Sequence, residues 1–175
     1  MKKRSKHLLI TGGTGYIGSR LVEMAVSNGH QVTLLGKNDN DVQCRTLSWR
    51  LGDAIPKTAF LSDDVEKVDV VIHLAHDWNV NGKEKNINLD GSRILLDSIR
   101  KNRIPRFIFC SSVSARWSAL NQYGRTKAQV ENLLDGEGEI SARVGLVYGG
   151  KRRAMWGAIC KLVDISPVLP MFGIN

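Results

Sequence analysis

The sequence predicts an α/β domain: a doubly wound parallel sheet of about six strands with helices on both faces. Three observations carry that expectation. Apolar residues switch repeatedly between strand-like and helix-like spacing, the pattern of consecutive βαβ units with right-handed crossovers. The run at residues 68–75, with Val70, Val71, Ile72 and Leu74, is almost continuously apolar, as a strand covered on both faces must be. A cluster of glycines, Gly12, Gly13, Gly15 and Gly18, stands between the first strand-like run and the first helix-like one. With 175 residues and 42% hydrophobic content, the chain fits a single domain, residues 1–175, able to bury a core.

The elements follow in order. Residues 7–11 read as a short apolar strand, and residues 16–28 as a helix with Ile17, Leu21, Val22, Ala25 and Val26 on one side, closed by Gly29. A second strand covers 31–35, a weaker third 44–51, and the fourth is the run at 68–75. Helical spacing of Ile87, Ile94, Leu95 and Ile99 predicts a helix over 84–102, with Pro105 beyond its end. Residues 106–111 form a fifth strand, 122–134 a helix ended by Asp135-Gly136-Glu137-Gly138, 140–147 a sixth strand, and 154–163 a short helix.

The glycine cluster carries the first chemical expectation. In Thr11-Gly12-Gly13-Thr14-Gly15-Tyr16-Ile17-Gly18, a turn joins a strand to a helix N-terminus, where backbone N–H groups and the helix dipole favour a pyrophosphate. Gly12 allows the tight turn, Gly15 lets the backbone approach the phosphates, and Gly18 lets helix and strand pack closely. The loop residues Gly12, Thr14, Gly15, Tyr16, Ile17 and Gly18 are therefore candidate contacts for a dinucleotide.

Composition narrows the classes. No apolar run approaches the roughly 18 residues of a membrane span. The basic start, Lys2 to Lys6, is followed only by Leu8, Leu9 and Ile10, too short for a secretory signal, so a cytoplasmic protein is expected. Three cysteines, odd in number and widely spaced, and four histidines without ligand spacing predict neither disulfides nor a metal site. A net charge of +8 reads as a solvated basic surface that also attracts anionic ligands such as dinucleotides or nucleotide sugars. Nucleic acid is not the expected partner, because aromatics do not interleave with the basic runs.

The Gly-x-x-Gly-x-x-Gly loop with its preceding Thr11 resembles that of the short-chain dehydrogenase/reductase superfamily. More narrowly, the chain is similar to the extended and atypical branches, the NAD-dependent epimerase/dehydratase family. Further matches are Gly52-Asp53, His73-Leu74-Ala75, Asn88-Leu89-Asp90-Gly91, Ser111-Ser112, Tyr123 to Lys127, and Arg143-Val144-Gly145-Leu146-Val147-Tyr148-Gly149. The resemblance implies a Rossmann fold, hydride chemistry with NAD(P), and a nucleotide-sugar substrate. It places Leu74 and Ala75 at the coenzyme and Asp53 at the adenine, although Asp53 is equally explained as a polar turn residue.

Tyr123-Gly124-Arg125-Thr126-Lys127 separates a phenol and an ammonium by four residues on a predicted helix, which puts both on one face. A neighbouring ammonium is expected to favour the phenolate, so that Tyr123 exchanges a proton with a substrate hydroxyl or carbonyl. By resemblance, Lys127 also holds the nicotinamide ribose and a hydroxyl at the end of the fifth strand polarises the carbonyl. That role falls to Ser112, with Ser111 the alternate. Asn88 divides evenly between a structural and a functional role, and Arg143 and Tyr148 stand near the expected substrate.

The second strand ends at Gly36-Lys37, where an acidic residue would select NAD. Asp39 and Asp41 come late, and Lys37 offers a positive charge to a 2′-phosphate. NADP(H) is therefore the expected coenzyme, with NAD the alternative. Two features depart from the family pattern. The eleven positions from Ser112 to Tyr123 are fewer than extended members have, and the sequence stops at Asn175 soon after the sixth strand. A minimal or missing substrate-binding part is expected, with an exposed sheet edge that favours a homodimer. The rival expectation is a dinucleotide-binding module without turnover, a redox sensor or assembly subunit.

Overall fold

A computed structural model describes residues 4–36, 44–60, 67–78, 86–150 and 154–165. Its strands are β1 (His7–Thr11), β2 (Gln31–Gly36), β3 (Arg45–Ser48), β4 (Val70–His73), β5 (Phe107–Ser112) and β6 (Glu139–Val144). Its helices are α1 (Tyr16–Ser27), α2 (Ile87–Lys101), α3 (Gln122–Glu131) and α4 (Ala154–Ile165), with a 3-10 turn at Lys57–Ala59. The chain divides into two compact units, Met1–Arg143 and Val144–Asn175. In the second unit, α4 carries Trp156, whose ring lies 5.8 Å from that of Tyr148.

The strands lie in the order β3-β2-β1-β4-β5-β6. Parallel pairing joins β1 to β2 and β4, β2 to β3, and β4 to β5, in registers such as Leu9↔Thr33, Leu9↔Val71 and Val71↔Phe107. This is the doubly wound order of a Rossmann sheet, and its direction of winding reverses between β1 and β4. In sheets of this kind ligands bind in the crevice outside the carboxyl ends of the strands at such a reversal, which here falls at the loops after β1 and β4.

Alternation along each strand sorts its side chains onto the two faces. On one face, Leu8, Ile10, Val32, Leu34 and Val70 pack with Val22 and Ala25 of α1. On the other, Leu9, Leu35, Val71, Phe107 and Phe109 pack with Leu95, Leu96 and Ile99 of α2 and Val130 of α3. Burial of these apolar side chains, at roughly 1.5–3 kcal/mol each, is the dominant force fixing the layers.

Element boundaries differ from expectation where side chains or turns intervene. The fourth strand ends at His73 rather than residue 75: Leu74 N makes the last ladder bond, to Thr11 O (3.1 Å), and Ala75 N turns to the Thr11 hydroxyl (3.3 Å). The third strand stops at Ser48, before the turn in which Asp53 N donates to Arg50 O at 3.0 Å. Two helix starts carry caps: Asn86 Oδ1 accepts from Leu89 N (3.3 Å), and Asn121 Oδ1 from Gly124 N (2.7 Å).

Candidate active site

The phosphate loop sits at the switch point, packed against the loop after β4. Gly12 has φ +71°, and a Cβ there would lie 2.6 Å from Ala75 N. A Cβ on Gly18 would lie 2.1 Å from Gly12 O, so any side chain there drives the helix off the turn. Gly13 serves packing, since its Cβ would strike the Leu34 side chain at 2.8 Å. Gly15 caps α1 in extended conformation, without a side-chain hydrogen bond, and no acidic residue occupies the first turn. The amino end of α1 thus has no capping side chain and no carboxylate in its first turn, and the glycines leave the backbone bare. These residues fit a pyrophosphate. Thr14 is exposed, while Tyr16 and Ile17 are half-buried on the first turn of the helix.

Behind the loop runs a buried hydrogen-bond chain that the sequence analysis did not find. Ala75 N donates to Thr11 Oγ1 (3.3 Å), which lies 2.6 Å from His73 Nδ1; His73 Nε2 lies 3.0 Å from Ser92 Oγ, which donates to Asn88 O at 2.6 Å. Because Ser92 uses its proton on Asn88 O, it accepts from His73, and the imidazole is the neutral Nε2–H form accepting from Thr11. Burial above all, then the charge of Lys127, lowers the His73 pKa to about 3, consistent with that neutral ring. The Asn88 side chain in turn binds both backbone groups of Asp77, Oδ1 accepting from N (2.7 Å) and Nδ2 donating to O (3.0 Å). Asn88 therefore fixes the segment after β4. Its partner Gly91 leaves room for the turn at Leu51 and Gly52, whose atoms a Cβ would meet at 2.7 Å.

Tyr123 and Lys127 lie on the face of α3 that meets β5. Lys127 is buried, donates to Cys110 O at 2.7 Å, and lies 4.5 Å over the Phe109 ring centre and 5.6 Å over that of Tyr123. Burial lowers its pKa to about 8. The phenol departs from expectation. Burial raises the Tyr123 pKa, a hydrogen bond with Ser112 lowers it less, and the Lys127 ammonium donates to Cys110 O. In this arrangement Tyr123 is a neutral proton donor, not a poised phenolate.

The paired serines separate by strand alternation. Ser112 is half-buried on the Tyr123 side, its hydroxyl 2.9 Å from that of Ser114. Ser111 is fully buried, with its hydroxyl toward the Glu131 carboxylate, whose charge it helps to hold. It lies near Glu131, whose carboxyl is held at about 2, chiefly by the Arg143 guanidinium. Arg143 Nε donates to Glu131 Oε1 at 2.9 Å, so this arginine is engaged at the edge of the sheet. Leu74 and Ala75 border the crevice. Asp53 is exposed and accepts from Arg50 N at 3.2 Å within its turn. Lys37, Asp39 and Asp41 lie outside the described residues.

Two features near Tyr123 escaped the sequence analysis. Gly124 permits α3 to seat on the loop after β5, where a Cβ would approach Ser114 O at 2.4 Å. A glycine inside a predicted helix was the available signal. The other is an aromatic group: the Trp78 ring stacks on Tyr123 (centroids 5.1 Å, planes 17° apart), and His76 stands edge-on to both. Burial and the Lys127 charge lower the His76 pKa to about 4.

Sheet order, switch-point crevice and glycine loop together define a dinucleotide-binding domain of the Rossmann class. Residues 8–138 match the model of the NAD dependent epimerase/dehydratase family. The chain belongs to that family. It is 28% identical over 172 residues to a bifunctional UDP-glucose 4-epimerase and UDP-xylose 4-epimerase of Pisum sativum, an alignment covering 76% of this chain and 48% of the relative. It is 31% identical over 176 residues to a UDP-N-acetyl-alpha-D-glucosaminuronate decarboxylase of Bacillus cytotoxicus, covering 94% and 48%. The structure of the Bordetella bronchiseptica enzyme WbmG in complex with NAD shares the fold, with TM-score 0.65, 21% identity, and coverage of 80% of this chain and 53% of that one. The chain spans about half the length of these curated relatives. Among the described residues, no helix is long and apolar enough to cross a membrane.

Proposed function

We propose that the chain supplies the coenzyme and proton-transfer half of an NAD(P)-dependent epimerase, dehydratase or reductase acting on a nucleotide sugar. One observation carries this reading: Ser112 and Lys127 flank Tyr123 at the end of β5, beside the crevice that the glycine loop opens. A bound nicotinamide would accept or return a hydride. The chain's own residues supply the rest. Backbone N–H groups at the amino end of α1 hold the pyrophosphate, Ser112 donates to the substrate oxygen, and Tyr123 gives or takes its proton. Lys127 places a cation 5.6 Å from the centre of the Tyr123 ring and would hold the nicotinamide ribose. Sugar nucleotides as substrates are supported by the names of the relatives.

NADP(H) is the proposed coenzyme, with NAD the alternative, supported by Gly36 at the end of β2 and by Lys37 standing next in sequence, ahead of Asp39 and Asp41. Tighter binding of NADH than NADPH in a calorimetric titration overturns this preference. Asp53 as an adenine contact is part of the same proposal, tested by D53A in that titration. A homodimer is also proposed, supported by β6 at the end of the sheet with half of its residues exposed, and sedimentation decides it.

The deciding experiment is Tyr123→Phe, assayed with a panel of UDP-sugars and both coenzymes. Turnover should fall by about 10²–10⁴-fold while coenzyme affinity stays within about threefold. The rival, a dinucleotide-binding module without turnover, draws support from the Trp78 ring covering Tyr123. Coenzyme binding with no wild-type turnover on any sugar nucleotide would establish that rival instead.

A further inference from the structure

We propose that Trp78 is the platform on which the sugar ring of the substrate rests beside Tyr123, with His76 fixing the platform's orientation. This rests on the reading of Tyr123 as the proton-exchanging residue, and it narrows the substrate to a cyclic sugar presented by its C–H face.

Trp78 is 73% exposed, yet it is not a loose surface side chain. Its backbone follows directly from Asp77, whose N and O are both held by Asn88 at 2.7 and 3.0 Å. Its ring is held from two directions, by the stacked Tyr123 at 5.1 Å and by the edge of His76 at 4.6 Å. His76 also meets Tyr123 edge-on, centroids 5.0 Å apart, so the three rings brace one another. A large aromatic surface held rigid and left in solvent at the mouth of a site is the signature of a recognition surface.

Its position assigns the occupant. The segment begins at Ala75, against Gly12 and the phosphate loop, and burial decreases outward to Trp78. The coenzyme belongs to the inner end, and the reacting partner to the outer. Centroids 5.1 Å apart with planes 17° apart describe offset rings. With faces in contact near 3.5–4 Å, the sideways slide is roughly 3–4 Å. Part of the indole face therefore extends past the phenol. A ring resting on that overhang lies beside the Tyr123 ring, edge to edge with it. Pyranose rings have this form: C–H bonds on a face, which the negative face of an indole attracts, and hydroxyls around the rim. His76 is neutral at physiological pH, so its ring sets no charge against the indole. The charged and titratable groups around it are Lys127, Asp77, His73 and Tyr123.

Two measurements test this on the full chain. In the first, tryptophan emission is titrated with UDP-glucose, UDP-xylose, UDP-N-acetylglucosamine and UDP alone, with W78F as the blank for the other three tryptophans. At least one sugar nucleotide should change the Trp78 signal where UDP does not; equal responses to all four, or none, overturn the proposal. In the second, Trp78→Ala should raise KM for the sugar nucleotide about three- to tenfold, the range of one aromatic contact, with kcat and coenzyme affinity nearly unchanged. Trp78→Phe should restore most of it. An unchanged KM overturns the platform, and a lowered KM shows that Trp78 is a cover. If the wild type turns over no sugar nucleotide, the reading of Tyr123 fails, and the emission titration still decides the role of Trp78.

Discussion

His73 joins three elements through a ring that must stay neutral, and this makes the fold acid-sensitive in a defined window. Its imidazole accepts from Thr11 on β1 and donates to Ser92 on α2, so protonation would set an N–H against the Thr11 proton. The folded pKa is about 3 against an ordinary 6.5. The unfolded chain therefore binds the proton first. The His73 contribution to stability is complete above pH 6.5 and is lost progressively as pH falls from 6.5 toward 3. At about 1.4 kcal/mol per pH unit, acidification to about pH 5 removes about 2 kcal/mol, and to about pH 3 about 5 kcal/mol. His76, lowered to about 4, adds a loss of the same sign. Glu131 and Glu139, lowered from 4.5, act only at more acid pH. The assay is urea denaturation of wild type and His73→Gln at about pH 7 and about pH 5. The glutamine variant should be less stable at neutral pH, because its amide cannot reproduce both bonds. Its loss between the two pH values should be smaller than wild type by about 2 kcal/mol. Equal pH dependence in the two proteins would refute a buried neutral His73.

Three further outcomes follow from the same geometry. Lys127→Met should lower turnover yet stabilise the fold near pH 7. A pKa lowered from 10.5 to about 8 means that burying the ammonium costs the folded state fully below 8, with relief complete above 10.5. After loss of the bond to Cys110 O, a net gain of about 2 kcal/mol remains, measurable by denaturant midpoint. Gly18→Ala should eliminate coenzyme binding in a calorimetric titration and lower the thermal midpoint, whereas Gly145→Ala, with no atom within 4 Å of its Cβ, should change neither. Asn88→Ala leaves both backbone groups of Asp77 without their partners and should cost about 2–3 kcal/mol, with weakened coenzyme binding because Ala75 is no longer held against Gly12.

Periodicity made the layers legible because apolar alternation is a local property of the chain. β1 begins at His7 and ends at Thr11 as expected, and α1 and α2 differ only at their ends. The glycine loop was legible because a strand and a helix flank it in sequence. The buried chain through Thr11, His73, Ser92 and Asn88 was not legible, since it joins residues 19 and 62 positions apart whose types alone suggest nothing. Asn88 is the instructive residue: its motif was visible and its role stood open, and the structure makes it the clamp on Asp77. The Tyr123–Lys127 spacing correctly placed both side chains on one face, but spacing carries no information about where an ammonium points. The carbonyl of Cys110, two residues before Ser112, takes it.

That one hydrogen bond determines how the pair begins its work. Burial raises the phenol and lowers the ammonium, so the same desolvation disfavours the charged form of each and leaves the phenol the weaker acid of the two. At neutral pH, below both, Lys127 is charged and Tyr123 is protonated. The resting arrangement therefore suits proton donation to a carbonyl, with Ser112 supplying the second hydrogen bond to the same oxygen. Running in the opposite direction requires the ammonium to turn from Cys110 O toward the phenol. A positive charge brought within about 4 Å in a site of effective dielectric about 20 is worth about 4 kcal/mol, enough to lower a phenol by about three pH units. Lys127→Met should thus move the acid limb of the pH–rate profile for oxidation of a sugar hydroxyl upward by about three pH units. An unmoved profile with weakened coenzyme binding would show that Lys127 acts through ribose binding alone.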